Sequence, residues 1–397
     1  MTAPEPATGG VQGQWRMLAI LSVAELFGMS LWFAGSAVAP RFAEQWSLTP
    51  TETAWLSTSV QIGFVAGTAV AALLNLADTL SSRVYFATAA VFGAIANAGL
   101  LISPGIRTAL LLRFLTGACL AGVYPPAMKM IATWFQARRG LAIGTVVGAL
   151  TAGKAMPYLV QAVPGIGVAP VILSASAGAL IAAVVVMAAY RDGPFPFPRR
   201  AFSWSLARTV LRTRDYRLVL GGYAGHMFEL YSYWVWIPLF LAASVADQSV
   251  SPSVVSLLSF AAIAVGAIGC IWGGAIADRV GYARFVSAAM AASGACALLT
   301  PLVFGRSLPL LTVLVLVWGV TVIADSAQFS TLVTRVVPAH AVGTALTLQT
   351  SIGFLLTTIS IQLIPPVVDI VGWRYAFPLL ALGPILGIIT IRRLRTA

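Results

Sequence analysis

Along the 397-residue chain, apolar residues do not alternate with polar ones but gather in runs closed by charge, proline or glycine. Each run holds about 20 residues, the length at which a helix crosses the hydrocarbon layer of a bilayer. The runs predict spans at 17–40, 52–76, 84–103, 108–133, 140–162 and 168–190. After a polar gap, a second set is predicted at 217–243, 252–276, 284–304, 308–332, 341–364 and 374–391. The expected fold is an all-α membrane protein of twelve transmembrane helices, six and six.

Composition removes the alternatives. Apolar residues make up 59% of the chain and charged residues 9%, against about 25% charged in an ordinary soluble domain. A net charge of +12 would point to nucleic acid only on a soluble module with a basic face, and no such module is present. The charge reads as topology instead, because Lys and Arg collect in short cytoplasmic loops. With the N-terminus inside, eighteen of the 24 basic residues fall inside; only Arg41, Arg107, Arg306 and Arg374 fall outside, and Arg113 and Lys154 lie within spans. A cleavable leader is the competing reading of the first run, but Glu25 sits in the middle of that run. The expected organisation is a disordered cytoplasmic tail at 1–16, an N-terminal bundle at 17–190, an arginine-rich linker at 191–216, a C-terminal bundle at 217–391 and a cytoplasmic tail at 392–397. Both termini are expected to face the cytoplasm of a plasma (bacterial inner) membrane. Cys119, Cys270 and Cys296 all lie in apolar runs, so they read as packing residues rather than a disulfide or metal framework.

The two halves echo one another. NLADTLSSR (Asn75 to Arg83) follows the second run and GGAIADRVGYAR (Gly273 to Arg284) the eighth, with Asp78 and Asp278 in matching places. Repetition at half the chain length is expected of a transporter built from two related bundles. The second loop resembles the G-x-x-x-D-R-x-G-x-x-R signature of the major facilitator superfamily, through Gly274, Asp278, Arg279, Gly281 and Arg284. In the first loop Asp78 and Arg83 remain, while Asn75 replaces the leading glycine and Thr79 an arginine. RFLTG supplies Arg113 and Gly117, similar to the superfamily's R-x-x-x-G in span 4. The resemblance covers essentially the whole chain. It implies two pseudo-symmetric six-helix bundles moving a small solute by alternating access, and a gating role for Asp78, Asp278 and Arg279.

Ionisable side chains inside spans are costly and mark pathways. Six stand out: Glu25, Arg113, Lys154, His226, Glu229 and Asp325. The depths of Glu25, Arg113, Lys154 and Glu229 predict one shared central cavity. Arg113 is expected to pair with Glu25 in one state and release it in another, so that Glu25 or Glu229 exchanges protons. Lys154, Tyr158 and Gln161 are spaced i, i+4, i+7 on one helical face, and with Arg113 they form an expected anion site. His226 and Tyr233, flanking Glu229 at i, i+3 and i+7, complete the expected substrate contacts, with Trp32, Trp236 and Trp318 as walls. Asp325 is expected to be a gate partner for Arg279, Arg284 or Arg335.

No metal or cofactor is expected, since His226-x-x-Glu229 alone supplies two ligands. Neither a phosphate-binding G-x-x-x-x-G-K-[ST] nor the catalytic patterns H-E-x-x-H and G-x-S-x-G occur. The reading is therefore a monomeric secondary transporter, not an enzyme, whose partners are a small solute, protons and the bilayer. Arg113 with Lys154 favours an organic anion; Glu25 with Glu229 favours a cation or drug exporter. A solute-sensing receptor of transporter ancestry is the third reading.

Overall fold

The computed structural model describes residues 11–136, 138–196 and 203–394. The tail at 1–10, residue 137, the linker stretch 197–202, residues 395–397 and the side chains of Ala77, Asp78 and Ala339 lie outside the described residues. Every regular element among the described residues is helical. Among the described residues, ten segments are long and apolar enough to cross a membrane. In the first half they are Gln14–Trp46, Pro50–Leu73, Ser82–Ile102, Ile106–Ala132, Arg139–Gln161 and Val168–Ala189, here spans 1 to 6. Span 7 is the 31-residue helix Arg214–Ser244, made more polar by His226, Glu229 and its tyrosines. Pro252–Val280, Tyr282–Val303 and Leu308–Val336 are spans 8 to 10. The final segment, Val342–Ile391, is interrupted at Gly372, whose φ of 74° leaves the helical region. It therefore supplies two crossings, span 11 before Gly372 and span 12 after it, and the total is the expected twelve.

Two boundaries differ from expectation. Helix begins at Gln14, inside the expected tail. The linker contains a short helix, Trp204–Arg212, because its prolines all precede residue 199 and Ser203 caps the Leu206 N–H. Span 2 starts where a loop signal demands it: Thr49 and Glu52 close a capping box ahead of Pro50. Spans 1, 4, 8 and 10 are each broken near their middles, at Met29–Ser30, Ala121–Val123, Val265 and Asp325. In span 1 the Ser30 hydroxyl bonds back to the Phe27 carbonyl at 2.6 Å, a local competitor of the helical ladder.

The repeat seen in the loops governs the packing. Span 1 lies against spans 5 and 6, as span 7 lies against 11 and 12. Span 2 packs on 4 as 8 packs on 10, and 3 packs on 6 as 9 packs on 12. The halves meet through two symmetry-related pairs, span 5 against span 8 and span 2 against span 11. Lipid gives apolar helices no reason to cluster, so close backbone approach at small residues must supply the packing. Gly117 makes this explicit: a Cβ added there would sit 2.1 Å from the Val60 carbonyl oxygen of span 2. Gly319 repeats the contact in the second half, 2.0 Å from the Ala262 carbonyl of span 8. Gly117→Ala should cost about 1–3 kcal/mol, the usual range for overpacking a rigid site. The check is a lowered Tm in detergent, beside Gly140→Ala, where nothing lies within 4 Å and Tm should hold.

Candidate functional site

The site is assembled where span 5 crosses span 1. Gly153 allows that crossing: a Cβ there would lie 2.2 Å from the Leu26 carbonyl oxygen. This contact places Glu25 and Lys154, the neighbours of Leu26 and Gly153, on opposite walls of one seam. Both are almost wholly buried, at 0% and 3% exposure, and each acts electrostatically on the other. Neither Glu25 oxygen has a hydrogen-bond partner among the described residues. No ion pair within 4.0 Å joins the two side chains.

Lys154 is held by aromatic rings from both halves. Its Nζ lies 4.2 Å from the ring centroid of Trp32 on span 1, and 4.8 and 4.9 Å from those of Tyr231 and Trp234 on span 7. Separations under about 6 Å bind an ammonium to a ring face. Nζ also donates to the Tyr231 hydroxyl at 2.6 Å, a bond that crosses from one half to the other. The rings continue as a plug: Trp32, Phe64, Tyr231 and Phe354 meet at centroid distances of 4.6 to 5.8 Å. These four side chains are at most 4% exposed, so the seam is closed to water at this depth. Thr58 and Gln362 bond across the same seam at 3.0 Å, between spans 2 and 11.

Arg113 is not part of this cluster. Its guanidinium is fully buried and donates to the backbone carbonyls of Leu31 at 3.0 Å, of Trp32, and of Leu56 at 3.3 Å. A fourth contact reaches Asn97 Oδ1 at 3.4 Å, and Asn97 in turn donates to Ile172 and Ser176 of span 6. Arg113 therefore ties spans 1, 2, 3 and 4 together just beyond the break in span 1. The expected Arg113–Glu25 pair is absent from this conformation, in which the carbonyls of Leu31, Trp32 and Leu56 hold the guanidinium. Gly35 provides its space, since a Cβ there would fall 2.8 Å from Arg113 Nε.

The second half corrects the expected single cavity. Glu229 turns into its own bundle, where its oxygens accept from Ser293 Oγ at 2.8 Å and Trp318 Nε1 at 2.9 Å. Tyr233 follows it and donates to the Val315 carbonyl at 2.8 Å. His226 meets Asp325 instead of the central seam, with Nδ1 2.8 Å from Oδ1 at the break in span 10. Asp325 is thus 1% exposed and partnered with a histidine, not with the arginines expected at a gate. Trp236 donates to the Ile361 carbonyl rather than walling the seam. Tyr158 is buried within electrostatic reach of Arg113, and Gln161 donates to the Ala37 carbonyl at 2.7 Å. In the eighth loop the Tyr282 hydroxyl donates to Asp278, and the Arg335 guanidinium lies 4.3 Å over the Tyr282 ring. Arg279 is exposed. Asp278 caps no helix N-terminus; it ends span 8 and joins it, through Tyr282, to the end of span 10.

The profile described as Major Facilitator Superfamily matches residues 20–361. The chain belongs to the major facilitator superfamily. A bacterial homologue of the human lysosomal transporter Spinster shares the superfamily fold. Its inward-facing, unoccupied crystal structure aligns with a TM-score of 0.70 at 16% identity, over 97% of this chain and 95% of that one. The occupied form aligns at 0.68 and 15% identity, over 97% and 96%. Two superfamily relatives match over shorter stretches. The niacin transporter NiaP of Acinetobacter baylyi is 32% identical over 96 residues, which is 24% of this chain and 21% of that protein. The MFS-type transporter pytF of Aspergillus terreus is 30% identical over 173 residues, 42% of this chain and 56% of that protein. The chain thus aligns with less than two thirds of the length of either.

Proposed function

We propose that the chain is a proton-coupled secondary transporter of a small organic anion, working by alternating access in a plasma (bacterial inner) membrane with both termini cytoplasmic. One observation carries this reading: a lysine ammonium and a carboxyl group share the sealed seam between the halves without neutralising each other by contact. Uncompensated charge in a dry site is expensive. An anion entering from water lowers that cost by giving Lys154 a full counter-charge, and Glu25 takes or releases a proton as the seam opens to one side and then the other. The Lys154–Tyr231 bond must break for the halves to part, so substrate capture at Lys154 and opening of the seam are one event. Asp78, Asp278 and Arg279 remain proposed gate residues by resemblance.

The test is solute flux into liposomes holding the purified chain, driven by a pH gradient. Lys154→Ala removes a charge-assisted contact of about 1.5–3 kcal/mol, so half-saturation should rise about 10-fold to 150-fold at about 1.4 kcal/mol per decade. The aromatic box favours one second reading, export of an organic cation, because three rings around an ammonium also suit a ligand ammonium. In that case Lys154→Ala leaves cation affinity unchanged or tighter, and organic anions have no effect.

A further inference from the structure

Resting on the anion reading, we infer that the substrate is a flat aromatic monocarboxylate, its carboxylate on Lys154 and its ring inserted among Trp32, Phe64, Tyr231 and Phe354. The argument begins with donor counting. An ammonium has three N–H donors, and Lys154 is given one oxygen acceptor among the described residues, the Tyr231 hydroxyl. Apart from Glu25 across the seam, with which it makes no ion pair within 4.0 Å, its remaining environment is ring faces. A carboxylate supplies two oxygens on one planar group, enough to take the unused N–H bonds and to accept from the Tyr231 hydroxyl as well. A single negative charge suffices, because Arg113 is already engaged by carbonyls and offers no second anion site.

The rest of the ligand is set by what closes the seam. Trp32 and Phe64 belong to the first half, Tyr231 and Phe354 to the second, and they meet ring to ring at 4.6 to 5.8 Å. Separating the halves breaks the three that cross between them, Trp32–Tyr231, Trp32–Phe354 and Phe64–Phe354. A flat ring that slips between them restores offset and tilted aromatic packing on both faces; a puckered aliphatic ring of the same size does not. A second polar group is waiting at the edge. Gln61 is 0% exposed, and neither its Oε1 nor its Nε2 has a partner. It lies on span 2 between Thr58, which bonds Gln362 of span 11, and Phe64, which packs on Phe354 of span 11. It therefore faces the same seam and suits a ring heteroatom or hydroxyl at the ligand's far end.

The test is titration of the purified full-length chain in detergent with benzoate, cyclohexanecarboxylate, acetate and benzyltrimethylammonium, read by calorimetry and by Tm. Benzoate should bind at least tenfold more tightly than cyclohexanecarboxylate, and acetate more weakly still. Trp32→Leu should reduce benzoate to the cyclohexanecarboxylate level, while Lys154→Gln should weaken binding of both about 10-fold to 150-fold in a monodisperse protein. Should Trp32→Leu fail to fold, Phe354→Leu tests the same wall. Equal affinity for benzoate and cyclohexanecarboxylate overturns the aromatic assignment and leaves the anion reading standing. Binding of benzyltrimethylammonium alone overturns both, and so does absence of binding by every carboxylate to folded protein.

Discussion

Glu25→Gln will reduce pH-gradient-driven solute accumulation in liposomes to the level of protein-free vesicles, while solute still equilibrates down its own gradient. The side chain is buried, both of its oxygens lack donors, and Lys154 is the cation whose field reaches it. Glutamine keeps the shape and polarity but carries no exchangeable charge, so the solute path survives and the proton's work is lost. Glu25→Asp retains a titrating group one methylene further from the seam and should keep part of the activity. Full proton-driven accumulation by the glutamine variant would remove Glu25 from the mechanism. Because Glu25 holds no structural hydrogen bond among the described residues, the same variant should have an unchanged Tm, which separates lost coupling from lost folding.

Arg113→Ala has the opposite signature, a large loss of stability. Its guanidinium is the donor for three backbone carbonyls and the Asn97 amide oxygen in a site without water access. Removing the donor leaves buried acceptors unsatisfied, at about 1–3 kcal/mol for each group that finds no other partner. Arg113→Lys should recover only part of this, because an ammonium cannot span the fork of a guanidinium. The measurement is Tm in detergent together with the monodisperse fraction on size exclusion. An alanine variant of wild-type Tm with impaired coupling would restore the Arg113–Glu25 switch that this conformation does not contain.

The contrast between these two residues shows what the sequence makes legible. Lipid imposes one long apolar run per crossing, so the spans and the two-fold repeat could be read directly; the merging of spans 11 and 12 into one helix interrupted at Gly372 does not change their number. Depth was readable in part: Arg113 and Lys154, expected at one depth, hold separate sites, while Lys154 and Glu25 line one seam. Azimuth was not. On span 7 the charged face carrying His226, Glu229 and Tyr233 attracts attention, but Tyr231 is two residues from Glu229, about 200° around a helix of 3.6 residues per turn. Tyr231 and Trp234 therefore face the seam while Glu229 faces Ser293 and Trp318. Nothing in a string of apolar letters distinguishes Phe354 or Trp234 from packing residues, and the buried Gln61 carried no motif. Arg113 misled for another reason: its fork is taken by main-chain carbonyls of spans 1 and 2, and a string of residues does not show which carbonyls a guanidinium will meet. Asp325 sits at a helix break and has His226 beside it in place of a loop arginine.

The chain's own lysine already occupies the ring box, and this bears on the return stroke of the cycle. A carrier able to shut with no cargo aboard can reset unladen, since the tethered ammonium fills the vacancy that would otherwise hold the gates apart. Such an arrangement favours one-way loading over compulsory one-for-one swapping, and it predicts that external solute will not be needed to discharge the internal pool.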